Sequence, residues 1–185
     1  HETITPITLT ATASSNIINV YYKRQIITMT YKIVSSTGGK WSDNTTADKS
    51  LTGRYGAATS TPAYTASAGY TAQWKKTGAT QAGTPPTTYP VSGETWELSF
   101  IAGAATYSIE YYKENPSDVG NYVKDSAMTE SKTDGTVGQP TAITSAYATS
   151  KMPAGYQLKA SNPVVNVTSL NPSGDVVKIY YDLKQ

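Results

Sequence analysis

The sequence predicts a mainly β protein, α+β at most, built as a tandem array of similar units. Three observations predict it. One eight-residue pattern occurs three times, as Ser15-Asn16-Ile17-Ile18-Asn19-Val20-Tyr21-Tyr22, Gly93-Glu94-Thr95-Trp96-Glu97-Leu98-Ser99-Phe100 and Gly174-Asp175-Val176-Val177-Lys178-Ile179-Tyr180-Tyr181. The copies recur about every 80 residues, and a fixed period marks an array. The composition is the second observation. Only 15% of the 185 residues are charged, and there are 15 Tyr, three Trp and a single Phe. Thr and Tyr suit a half-buried pleated surface, and a tyrosine ring covers apolar neighbours while its hydroxyl stays in water. The third is strand-type alternation through Ile26–Val34, Tyr107–Tyr112 and Val176–Tyr181.

The elements follow in order. Thr5-Pro6-Ile7-Thr8-Leu9-Thr10 resembles Asn162-Pro163-Val164-Val165-Asn166-Val167, each ahead of a pattern copy. Residues 1–25 are therefore expected to be the closing hairpin of a preceding repeat, with His1-Glu2-Thr3 looking like a cut from something longer. A first unit is expected over 26–102 and a second over 103–185. Met29-Thr30-Tyr31 aligns with Ile109-Glu110-Tyr111 as the opening strand. Gly53-Arg54-Tyr55-Gly56 aligns with Gly135-Thr136-Val137-Gly138, and Gly69-Tyr70 with Gly155-Tyr156. Lys40–Ser50, Thr77–Tyr89 and Glu114–Asn121 carry the Gly, Pro, Asn and Asp of turns and loops. Thr141–Lys151 is the one place for a short helix, weakened by its Thr and Ser. Ala102-Gly103-Ala104-Ala105 is too short for a flexible tether, so the units are expected to lie end to end. Each adjacent Tyr pair must split across its sheet, one ring inward and one outward.

The inventory excludes several function classes. There is no Cys, which removes disulfides, thiolate catalysis and Cys-ligated metal. The single His is His1, which leaves no catalytic triad and no His-based metal site. No run reaches the ~18 apolar residues of a membrane span. The net charge of +2 is small and scattered, so nucleic acid is not an expected partner. Glu94 and Glu97 fall on opposite faces of one strand. Glu110 and Glu114 straddle a strand end, and solvated charge is the plainer account of both pairs. Gly-x-x-Gly without a following Lys-Ser/Thr is no phosphate loop. No catalytic, cofactor-binding or metal-binding residue is assigned.

Three constellations have sharper readings. Asp43-Asn44-Thr45-Thr46-Ala47-Asp48 offers oxygens to calcium but lacks the alternating acids and bidentate Glu of a calcium loop. A plain Asx-turn explains it as well. A Lys–Asn isopeptide bond would need a buried lysine of depressed pKa touching an Asn and an acid. Lys32, Lys113, Lys178, Asn19 and Asn166 lie in or beside strands, but sequence does not say which of them meet. Trp41 and Trp74, beside Gly-rich turns, are candidates for stacking on sugar rings. The competing account makes both of them caps of a small core, because a Trp buries so much area.

The second unit carries Tyr107-Ser108-Ile109-Glu110-Tyr111-Tyr112-Lys113, Gly135-Thr136-Val137-Gly138, Gly155-Tyr156 and Val177-Lys178-Ile179-Tyr180-Tyr181. In these residues it resembles the mucin-binding-protein (MucBP) repeat. The first unit carries Gly38-Gly39-Lys40-Trp41, Thr52-Gly53-Arg54-Tyr55-Gly56, Gly69-Tyr70-Thr71-Ala72-Gln73-Trp74 and Trp96–Phe100. It is similar to the internalin B-repeat. Both resemblances imply a β-grasp-like fold, in tandem domains on Gram-positive surface proteins. The expectation is a non-enzymatic stalk region of a secreted, wall-anchored adhesin that presents a distal binding domain, with neighbouring repeats as its partners. The alternative is a module that contacts host mucin or other glycan directly. No binding residue carries over, because the shared motifs are structural. The Pro-rich stretch Thr84–Tyr89 departs from a minimal repeat.

Overall fold

The second and third copies of the repeated pattern do the same structural job. A computed structural model describes residues 8–12, 17, 18, 20 and 22–184. Strand β1 (Ile26–Ile33) is followed by β2 (Gly39–Trp41), β3 (Lys49–Arg54), β4 (Tyr64–Ala66), β5 (Tyr70–Lys76) and β6 (Glu94–Ala102). Then come β7 (Ala104–Asn115), β8 (Asp118–Thr136), α1 (Ser145–Ser150), β9 (Tyr156–Leu158), β10 (Val164–Val165) and β11 (Asp175–Leu183). The protein is mainly β. One sheet has the order β3-β1-β6-β5, the other β10-β11-β7-β8 with β9 also on β11, and β2 pairs with β4. The pattern copies at Gly93 and Gly174 become β6 and β11. Each runs parallel to the opening strand of its own segment, β6 beside β1 and β11 beside β7. Flanking strands β3 on β1, β8 on β7, and β9 and β10 on β11 are antiparallel.

By its contacts the chain divides into two compact units. One comprises His1–Ile33, Thr46–Ala63 and Trp74–Leu98; the other comprises Val34–Thr45, Tyr64–Gln73 and Ser99–Gln185. In the first, β1 buries Ile27, Met29 and Tyr31, and Trp96 and Leu98 are buried on β6. In the second, Ala105, Tyr107, Ile109 and Tyr111 of β7 and Val177, Ile179 and Tyr181 of β11 form one apolar cluster with Val137, Ala148 and Leu170. Both closing strands alternate buried and part-exposed residues, as the pleat requires when one face is packed.

The matched glycines occupy matched places. Gly53 pairs with Ile27 and lies under the Tyr89 ring; Gly135 pairs with Ala105 and lies under Leu170. Gly56 donates its N–H to Tyr89 O at 2.9 Å, and Gly138 donates to Leu170 O at 2.8 Å. Both have positive φ, 75° and 79°, a conformation that costs glycine nothing. Gly103 N–H bonds Gly69 O at 2.8 Å, as Lys184 N–H bonds Gly155 O at 3.1 Å. A Cβ built on Gly135 would stand 2.9 Å from the Ala105 carbonyl oxygen and 2.7 Å from Leu170 Cδ1. Because the backbone oxygen cannot step aside, Gly135→Ala is expected to cost about 1–3 kcal/mol, read as a lower urea midpoint with unchanged slope.

Three details differ from the expectation. Met29 pairs with Glu94 and Tyr107 with Asp175, so the counterpart of Met29 is Tyr107 and not Ile109. A shift of two residues keeps every side chain on its face, so the alternation could not separate the two alignments. Glu114–Asn121 is a turn only at its centre, with β7 running to Asn115 and β8 starting at Asp118, so the strands extend into both ends of the expected turn-and-loop stretch. The 19-residue β8 has no buried residue in its pattern, and its Val119, Tyr122, Val123 and Met128 do not alternate, so it carried no strand-type period. The short helix falls within the expected stretch, where the Thr144 hydroxyl accepts from Tyr147 N–H as its N-cap. Most of the expected hairpin at 1–25, including Asn19 and Tyr21, lies outside the described residues. Ile17, Ile18, Val20 and Tyr22 are described, exposed and not in a strand.

Candidate functional site

The two tryptophans singled out from the sequence meet different fates. Trp41 is 1% exposed, so its indole has no open face for a sugar and belongs to the interior. Trp74 is half-buried, with its ring edge-on to Tyr31 at 5.8 Å. At the acidic loop, Asp43 Oδ1 accepts from both Thr45 N–H and Thr45 Oγ, which is an Asx-turn. Asn166 is fully engaged. Its Oδ1 accepts from Thr141 Oγ and Ile143 N–H, and its Nδ2 donates to Ile143 O. Lys32 pairs with Asp48 and Lys113 with Asp125, while Lys178 lies over the Tyr112 ring. None of these lysines is placed against Asn166, and Asn19 lies outside the described residues.

The Tyr pairs split as alternation requires. Tyr111 and Tyr181 are wholly buried, whereas Tyr112 and Tyr180 stand half-buried on the other face. There Tyr112 sits directly opposite Tyr180 on β11 and opposite Lys124 on β8. The two rings stack at 5.2 Å and 25°, and Tyr122 meets Tyr180 edge-on at 5.3 Å. Lys159 Nζ lies 4.7 Å from the Tyr122 ring centre and 5.2 Å from that of Tyr180. Tyr112 donates its hydroxyl to Glu110 at 2.8 Å, and Tyr122 donates to Asp182 at 2.6 Å. The bond to Asp182, with burial, pushes the Tyr122 phenol up to about 12. The pairing of β1 with β6 ends at Ile33 and Leu98, so Val34 and Ser99, the sequence counterparts of Tyr112 and Tyr180, lie one step beyond it.

On the packed side, one carboxylate collects four donors. Glu130 accepts from Tyr111 at 2.6 Å, Tyr147 at 2.7 Å, Lys132 at 2.8 Å and Lys151 at 3.0 Å. Burial works to raise its pKa, but the four donors outweigh burial and hold Glu130 well below the usual carboxylate range. Burial and the bond to Glu130 push the Tyr111 phenol far up. Tyr181, stacked on Tyr111 at 6.3 Å, donates to Ala148 O at 2.7 Å. The result ties α1 to β7, β8 and β11. Glu130 and Tyr147 were not singled out from the sequence. A polar strand before a weak helix was the only signal, and it says nothing about which donors gather there.

The strand glutamates are engaged by donors. Glu94 accepts from Lys76 and Trp96, Glu97 from Thr77, and Glu110 from Lys124 and Tyr112. Glu114 accepts from Gly120 and Leu183 N–H. Glu94, Glu110 and Glu130 are all shifted down, opposite to what a general acid at neutral pH needs. Among the described residues no group of three or more His, Cys, Asp or Glu could hold a metal, and no helix is long and apolar enough to cross a membrane. Compared with known proteins, the chain matches no family model and no curated sequence.

Proposed function

We propose that this chain is a non-enzymatic, load-bearing stalk region of a secreted bacterial surface adhesin. Its β-grasp-like units would be joined end to end and would carry a distal binding domain away from the cell wall. One observation carries the reading. In both segments the first and last strands are parallel neighbours, β1 with β6 and β7 with β11. Pulling such a pair from its outer ends loads the strands along their axes. Their inter-strand hydrogen bonds, evenly spaced in a parallel pair, must then fail together and not one by one. Glu94, Glu110 and Glu130, each holding two or more donors and shifted down, favour the non-enzymatic side of the reading.

Single-molecule stretching tests it. The expected trace shows abrupt, high-force unfolding events; low, featureless extension would end the proposal. The second reading, direct contact with host mucin or another glycan, is favoured by the open face of Tyr112, Tyr122 and Tyr180 and by half-buried Trp74. Saturable binding to mucin or to a glycan panel, weakened by Tyr180→Ala, would select it over a pure stalk.

A further inference from the structure

We propose that Tyr112 and Tyr180 are an oxidative cross-linking site. A haem peroxidase with hydrogen peroxide would join their rings by a carbon–carbon bond between ortho carbons. The geometry is the first argument. The two residues face each other in register on adjacent parallel strands, so both rings leave the sheet on the same side. They stack at 5.2 Å and 25°. The unpaired electron of a tyrosyl radical occupies π orbitals normal to the ring, with density on the oxygen and the ortho carbons. Stacked rings therefore present those carbons along the direction in which the bond forms.

Proton and electron paths are the second argument. Oxidising a phenol needs a base for its proton, and Tyr112 already donates to Glu110 at 2.8 Å. Half-exposed Tyr180 can lose its proton to water. It also touches Tyr122, which donates to Asp182, so an electron vacancy formed on Tyr122 can pass to it. The chain has no Cys to intercept a radical. Tyr111 and Tyr181 also stack, but they are wholly buried at 6.3 Å, with hydroxyls held by Glu130 and Ala148 O. The outer pair is half-exposed and can meet the peroxidase, whereas the inner pair has no exposure.

The step balances. Each phenol gives up one electron and one proton, and the two radicals couple. Each ortho hydrogen then moves to oxygen, restoring both phenols. Two electrons and two protons reduce one hydrogen peroxide to two waters. The product ties β7 to β11, the first and last strands of one segment. No disulfide can form in this chain. Only the mechanical consequence rests on the stalk reading: with the bond in place, the residues between Tyr112 and Tyr180 no longer lengthen under load.

The test uses the full chain at low concentration with haem peroxidase and hydrogen peroxide. Expected are blue dityrosine fluorescence, a monomer lighter by two hydrogens, and a protease digest in which the peptide holding Tyr112 is bonded to the one holding Tyr180. Tyr112→Phe and Tyr180→Phe keep the ring packing and should each abolish that linked peptide, while Tyr122→Phe keeps it. Three results would overturn the proposal: no link within the monomer, a link mapped mainly to another pair, or an unchanged yield in Tyr112→Phe. Peptide mapping applies no force, so its failure is separable from failure of the stalk reading.

Discussion

Ile179→Ala is expected to lower the stability of the protein by about 2–5 kcal/mol, the range for emptying a packed aliphatic site. Ile179 is fully buried at the middle of β11, in the cluster that joins β7, α1 and the Leu170 loop. Its strand is hydrogen-bonded on both sides, by β7 and by β9 and β10, so the backbone cannot readily collapse into the space left. The spread in the expected cost reflects how far neighbouring side chains can move into that space. Leu98 is the matching residue of β6 and is equally buried, so Leu98→Ala should cost a similar amount. Urea titration followed by tyrosine fluorescence and circular dichroism measures both. A loss under about 1 kcal/mol for Ile179→Ala would mean that β11 is not the centre of its core.

Glu130→Leu is expected to cost about 2–3 kcal/mol, because bonds to a charged acceptor are worth more than neutral ones and a buried donor left unpaired is expensive. The two lysine contacts contribute little of this, since both ammonium groups reach water. The tyrosines decide it: Tyr111 has no exposure, and Leu offers its hydroxyl nothing. Glu130→Gln keeps an acceptor and should cost roughly half as much. The pH dependence has a definite sign. A carboxyl whose folded pKa lies below its ordinary value of 4.5 stabilises fully above that value. It loses the contribution as pH falls through the folded pKa. The melting temperature of the wild type should therefore drop as the solution is acidified below about 4.5, and Glu130→Gln should flatten that decline. Glu94 and Glu110 are shifted the same way, so some slope remains in the variant. At the alkaline end the sign reverses. Burial pushes the Tyr181 phenol up to about 12, so stability is lost as pH rises from the ordinary value of 10.0 through that one. An acid limb identical in wild type and Glu130→Gln would show that Glu130 is not the hub it is taken to be.

Much of the strand framework is legible in the chain because it depends on local order. Alternation in Ile26–Ile33 and Asp175–Leu183 puts Met29, Tyr31, Val177, Ile179 and Tyr181 on packed faces. The Gly-x-x-Gly pairs point to matched turns because a positive φ and a side chain lying against the backbone both require glycine. β8 is not legible, because its apolar residues Val119, Tyr122, Val123 and Met128 follow no alternation, and its place is set by pairing with β7. The candidate sites show the same division. Trp41 and Trp74 have similar Gly-rich neighbourhoods in sequence, yet one is buried and the other half-buried. Glu130 has ordinary neighbours in sequence and four donors in space.

By itself the sequence determined strand faces and glycine turns, since each depends on residues only a few positions apart. The tertiary structure decided which strands became neighbours. Long connections bring β6 back beside β1 and β11 back beside β7, and chain order alone does not state that pairing. Everything that depends on it followed: the parallel terminal strands, the contact of Tyr112 with Tyr180, and the gathering of two phenols and two ammonium groups on one carboxylate. The reason is that these energies arise between groups far apart along the chain, and only the fold sets their distances.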